Sequence, residues 1–162
     1  MPKPFASAIA LLLAAAAATG ATAAPVTGSG GGAPLAAFNA AFTEATRDMN
    51  NEALLKLWSD DGVALLPDTP PLVGKPSIAA MLRQVVADHA GARMELFTNR
   101  CSDEQVDGPW ASEWCIEHQV VTETGKPRFD SWGKMLLVLH RGPSGDWRLS
   151  REMWNQALAP SQ

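Results

Sequence analysis

Apolar residues recur at helical spacing in the first part of the chain's polar-patterned region and at alternate positions in the second. Leu35, Phe38, Phe42, Ala45 and Met49 fall three or four apart, which predicts one long amphipathic helix. Asn50 and Asn51 interrupt it, and Glu52 to Trp58 reads as a short second helix with Leu54, Leu55 and Trp58 inward, stopped by Asp60-Asp61-Gly62. Val63 to Leu66 is a short apolar strand, and Pro67 to Gly74 is a loop stiffened by Pro67, Pro70 and Pro71. Pro76 then opens another helix, in which Ile78, Met81, Leu82, Val85 and Val86 form a buried stripe.

After Gly91 the period becomes two. Met94 to Ser102, Trp110 to Val121, Arg128 to His140 and Trp147 to Asn155 are four strands separated by turn residues. From Met135 to Leu139 the third of these is apolar on both faces and must be covered on both. The last alternates, with Ser150, Glu152 and Trp154 on one face and Trp147, Leu149, Arg151 and Met153 on the other. A carboxylate beside an aromatic ring suits a pocket wall. The element order predicts an α+β domain, helices covering the concave face of a curved, mainly antiparallel sheet.

Residues 1–23 have the form of a signal peptide, with Lys3 as basic flank, an apolar run from Ile9 to Ala18, and Ala21-Thr22-Ala23 before the cut. Cleavage after Ala23 is preferred, because a cut after Ala24 would place Pro25 immediately beyond it. The run is too short to span a membrane, so the expectation is a periplasmic or secreted protein with no membrane attachment after cleavage. Residues 24–34, rich in Gly, Ala and Pro, form a flexible linker; 35–157 form one domain and 158–162 a tail. A net charge of −4 without a basic patch argues against nucleic acid as a partner. Six Trp and no Tyr exclude any mechanism that needs a phenol.

Cys101 and Cys115 flank the turn at Asp107-Gly108-Pro109, and a hairpin centred on Gly108 sets them opposite one another. Opposed strand residues lie about 4.5 to 5.5 Å apart at Cα, within disulfide range. A bridge closing about 15 residues contributes on the order of 3 kcal/mol. The alternative is a pair of free buried thiols in a slipped register.

In that register Met94, Leu96, Thr98 and Arg100 share a face with Trp114, Ile116, His118 and Val120, while the cysteines share the other with Glu95, Glu113 and Glu117. The more apolar set is expected to face the helices, which makes Arg100 and His118 polar intruders there. Glu152, Asp130 and His118 are the candidate proton carriers, because desolvation in a pocket moves such groups toward neutrality. Trp58, Arg100, Trp114, Trp132 and Trp154 are the candidate ligand-binding residues. The plainer alternatives are a salt bridge among Arg100, Asp130 and Glu152, and core packing for the Trp rings. A bulge at Gly133 would reverse the facing of Arg128, Asp130 and Trp132. Three scattered His and two opposed Cys give no ligand cluster, so neither a metal nor another cofactor is expected.

Leu57-Trp58-Ser59-Asp60-Asp61-Gly62-Val63, Leu72-Val73-Gly74-Lys75-Pro76-Ser77-Ile78, Gly133-Lys134 before the apolar strand, and Asp146-Trp147-Arg148 through Trp154-Asn155 recur in an order that resembles the SnoaL-like branch of the nuclear-transport-factor-two-like superfamily, which includes ketosteroid isomerase. The resemblance implies a cone-shaped fold with an internal pocket, commonly dimeric through the outer sheet face. Carried over by the matching segments, the isomerase's Tyr, base and second Asp fall at Phe42, about Leu66 and near Leu136, all apolar here, so that apparatus is missing. Two readings result. The first is an exported homodimer binding a small, partly apolar molecule, with cofactor-independent acid/base chemistry of isomerase, cyclase or hydratase type. The second is a noncatalytic dimeric interaction or assembly module, distinguished by a filled interior and a working outer face.

Overall fold

The structure, a computed structural model, describes residues 34–160. The expected signal peptide, nearly all of the linker and the last two residues of the tail lie outside the described residues. Helix α1 (Ala36–Arg47) buries Phe38, Phe42 and Ala45. It is followed by α2 (Asn51–Leu57), capped by Asn50, whose side chain accepts a hydrogen bond from the Ala53 N–H at 3.0 Å. The asparagines that break the apolar period thus start the next helix. Then come β1 (Trp58–Leu65), β2 (Leu72–Val73), α3 (Lys75–Asp88), β3 (Arg93–Asp107), β4 (Trp110–Thr122), β5 (Phe129–Arg141) and β6 (Trp147–Ala157).

The strands form one open sheet in the order β2-β1-β6-β5-β4-β3, antiparallel throughout except that β1 runs parallel to β6. Phe38 and Phe42 of α1 and Ile78 of α3 share a core with Phe97, Cys115, Leu137, Leu139 and Leu149 of the sheet. The α+β architecture expected from the element order, helices over one face of an open sheet, is the one found, in keeping with the cone that the resemblance implies.

Two local expectations are corrected. Asp60-Asp61-Gly62 does not end a helix but lies inside β1, where Trp58 pairs with Leu149 and Val63 with Arg151. Five steps of β1 therefore face two of β6, and the acidic segment is accommodated as a bulge. The proline-rich loop also contains β2, which pairs Val63 with Val73 and Ala64 with Leu72. Pairing with a neighbour has overridden turn-forming composition in both places.

Around the cysteines the register of β3 on β4 is the expected one, Cys101 opposing Cys115, Thr98 opposing His118 and Arg100 opposing Ile116, but next to the turn Asp107 opposes Trp110, and a shift between Ser102 and Gln105 makes up the one-residue difference. A disulfide joins Cys101 and Cys115. The facing is the reverse of that expected. Ala111, Glu113, Cys115 and Glu117 are buried toward the helices, whereas Trp114 on the other face is 38% exposed. A bulge between Met94 and Leu96 further separates those two residues, so that Met94 packs on the core and Leu96 is exposed. In β6 a register shift leaves Ser150 as an extra residue between the Leu139–Leu149 and Val138–Arg151 pairs. Trp147 and Leu149, expected outward, consequently pack on the core side that also receives Trp154. Met153 is outward, as expected. Gly133 carries no bulge, for β4 and β5 pair without a shift from Trp110–His140 to Val121–Phe129.

Candidate functional site

A cavity of about 410 Å³ lies between the helices and the core face of the sheet. Phe42 from α1, Trp58 from β1, Ile78 and Met81 from α3 and Phe97 from β3 supply apolar wall. The sheet supplies the polar end: Glu117 and Gln119 from β4, Ser131 from β5, and Glu152 and Trp154 from β6. A volume of this size with few polar groups is the ordinary form of a small-molecule site.

Glu117 is 5% exposed. Its Oε1 accepts hydrogen bonds from Trp154 Nε1 at 2.7 Å and from Gln119 Nε2 at 3.3 Å. The indole reaches it across Gly133, which pairs with Glu117 on one side and Gln156 on the other. A Cβ at Gly133 would lie 2.4 Å from Trp154 Nε1 and 2.7 Å from Glu117 Oε1, closer than any side chain allows. Glycine here is the space in which the Trp–Glu hydrogen bond is made.

Burial pushes the Glu117 carboxyl up to about 7, against the opposing pull of the Trp154 hydrogen bond. Burial, reinforced by the charge of Glu117, pushes Glu152 up to about 7 as well. Two neighbouring carboxyls that resist ionising together titrate as a pair, so near neutrality they share protons rather than both being charged. Trp154 and Gln119 favour the anion at Glu117, which leaves Glu152 as the better proton holder. One carboxylate and one carboxylic acid facing the same cavity can take and give a proton.

A second buried acid lies beside the disulfide, outside this cavity. Glu113 is 2% exposed, accepts a hydrogen bond from Asn39 Nδ2 at 3.0 Å and is raised to about 7 by burial.

Of the residues expected to form the site, Glu152, Trp154 and Trp58 line the cavity. Arg100, Trp114, His118, Asp130 and Trp132 do not: they lie on the outer face of β3, β4 and β5, because that whole face is inverted relative to the expectation. There His118 Nε2 and Asp130 Oδ1 are 2.8 Å apart, and the His118 ring stacks on Trp132 with centroids 4.3 Å apart. Arg128 bridges Asp130 at 2.8 Å and Glu95 at 3.2 Å. The His118 hydrogen bond, with Arg128 assisting, holds the Asp130 carboxyl below its ordinary range. The salt bridge among Arg100, Asp130 and Glu152 that was the plainer alternative is not formed, and the inner polar group beside Glu152 is Glu117. Of the three apolar positions at which the isomerase's Tyr, base and second Asp fall, Phe42 and Leu66 line the cavity, whereas Leu136 is 48% exposed between the buried Met135 and Leu137.

Glu117 and Gln119 were not among the expected site residues. The signal that finds them is the cysteine pair. The bridged Cys115 is fully buried against the helices, and Glu113, Glu117 and Gln119 share its parity along β4.

No protein-family model and no curated protein matches this sequence. Solved structures do. A ketosteroid isomerase-like protein from Erwinia carotovora atroseptica is 20% identical with a TM-score of 0.66, over 76% of this chain and 93% of that one. A conserved protein from Planctomyces limnophilus is 23% identical with a TM-score of 0.65, over 76% and 95% of the two chains. A candidate dehydratase from the NTF2-like family of Streptomyces avermitilis is 22% identical with a TM-score of 0.60, over 78% and 96%. With its helices laid on an open six-stranded sheet and its cavity between them, this chain has the nuclear-transport-factor-two-like, SnoaL-like fold.

Proposed function

We propose that this protein binds a small, partly apolar molecule in the cavity and moves a proton on it with Glu117 and Glu152. The observation that carries the reading is the pair itself, two carboxyls raised to about 7 on the sheet wall of a mainly apolar cavity. The ionised member takes a proton from the bound molecule while the protonated member donates to an oxygen of it. That division of labour serves isomerisation, dehydration or cyclisation without a cofactor, and the isomerase-like and candidate dehydratase neighbours of the same fold are in keeping with it. The test is solvent-deuterium incorporation into bound cyclic ketones, followed by NMR, with binding read from tryptophan fluorescence. Saturable binding that Met81→Trp weakens by about tenfold, and exchange that Glu117→Gln or Glu152→Gln abolishes, are expected. Binding indifferent to Met81→Trp, or exchange that survives both Gln variants, refutes it.

The outer sheet face supports the expectation of a homodimer. Trp114, Leu136 and Met153 are 38%, 48% and 45% exposed there, an apolar surface that a second copy would cover. The noncatalytic module reading rests on this face alone, and the open cavity weighs against it. We also infer export, on the strength of the signal-like residues 1–23 and the disulfide. Among the described residues no helix is long and apolar enough to cross a membrane.

A further inference from the structure

We propose that the cavity also takes an apolar amine, its ammonium group seated against the Glu117 and Glu152 carboxyls, a ligand that keeps both acids ionised and so occupies the site without turnover; the inference rests on the small-molecule reading above. The charge of the cavity wall is one-sided. Among the described residues its lining includes Glu117, Glu152 and, on the exposed lip, Asp68, and no Lys, Arg or His. A carboxylate or phosphate ligand would add a further negative charge to a low-dielectric site that has no cation to answer it. An ammonium supplies the missing charge.

The hydrogen bonding is one-sided as well. Glu117 receives donors from Trp154 and Gln119. Among the described residues no side-chain or backbone donor serves the Glu152 carboxyl, although it faces the cavity from the centre of the sheet. An ammonium carries only donors, so it completes Glu152 and relieves the repulsion between the two acids in one step. A neutral carbonyl ligand would satisfy a protonated Glu152 but leave that repulsion unrelieved whenever both are charged.

The rest of the wall fits the remainder of such a molecule. The Trp58 and Trp154 rings and the Phe42, Phe97 and Phe129 rings offer apolar surface and cation-attracting faces. Met49, Met81 and Met94 are thioethers that adapt to an irregular skeleton.

The probes are adamantylmethylamine, adamantylmethanol and adamantanecarboxylate, together with the corresponding cyclohexyl series. Titrations of the mature chain by calorimetry at about pH 6 and about pH 8 bracket ionisation of the acid pair. The amine is expected to bind about tenfold more tightly than the alcohol at the higher pH, to weaken by about tenfold at the lower, and to release protons on binding near pH 7. The carboxylate is expected not to bind, and Glu152→Gln to erase the preference for amine over alcohol. Proton release, read on the unmodified protein in two buffers of different ionisation enthalpy, tests the same point without any variant. An alcohol that binds as tightly as the amine at about pH 8 overturns the amine inference and leaves the small-molecule reading standing. Failure of every amine and alcohol in both series overturns the two together.

Discussion

Replacing Glu117 by Gln removes a charge from the floor of the cavity and keeps an oxygen to accept the Trp154 Nε1–H. In the folded protein burial raises the carboxyl from 4.5 to about 7; in the unfolded chain it returns to its ordinary value. The folded state holds that proton more tightly. Its contribution to stability is therefore fully present below about pH 4.5, declines as the pH rises toward 7, and is lost above. The rise from 4.5 to about 7, at about 1.4 kcal/mol for each pH unit, comes to about 3 kcal/mol. Gln does not titrate. The variant should match the parent at about pH 4.5 and exceed it by up to about 3 kcal/mol at about pH 8. The loss of the Glu117 charge also lets Glu152 ionise more readily, which acts in the same direction. Urea unfolding followed by tryptophan fluorescence at both pH values measures the difference. A stability difference that does not change with pH, or a variant weaker than the parent at the higher pH, refutes the claim that Glu117 is buried against its charge.

Gly133→Ala should destabilise by about 1 to 3 kcal/mol and break the Trp154–Glu117 hydrogen bond, since the added methyl occupies its space; the urea midpoint and the emission of Trp154 report the two effects. Cys101→Ser with Cys115→Ser opens a loop of sequence separation 14 and should cost about 3 kcal/mol, and nonreducing peptide mapping of the parent should recover the linked pair. Light scattering at micromolar concentration should give about twice the chain mass, falling to a single mass in Leu136→Lys, which puts a charge on the exposed outer face. Amino-terminal sequencing of protein recovered from an exporting host should begin at Ala24, one residue past the small-residue site.

Much of the architecture was legible along the chain because it depends on local periods. The three-and-four spacing of Phe38, Phe42 and Ala45, and of Ile78 and Leu82, is enough to name helices, and the alternation after Gly91 is enough to name strands. The turn at Gly108, at φ 54°, starts the hairpin with Asp107 opposite Trp110, and the shift between Ser102 and Gln105 then brings Cys101 opposite Cys115 rather than Ile116. The parity of Glu152 with Trp154 was also readable, since no irregularity falls between them.

What periodicity could not decide was which face of the sheet turned inward. On β4 the even positions Trp114, Ile116 and Val120 are more apolar than Glu113, Glu117 and Gln119, and alternation alone assigns them to the core. The assignment fails because this sheet is apolar on both sides, and only the helices laid against one of them choose the interior. Register shifts at Met94–Leu96, at Ser102–Gln105 and at Ser150 then move residues across the sheet in a way that parity counted from a distant reference cannot follow. The acid pair needs contributions from β4 and β6, strands separated by β5, with Gly133 between them making the room. The chain by itself determines its elements and their order, because those depend on neighbours a few residues away. The site was decided in three dimensions, because burial against the helices sets both the direction of Glu117 and the proton it keeps.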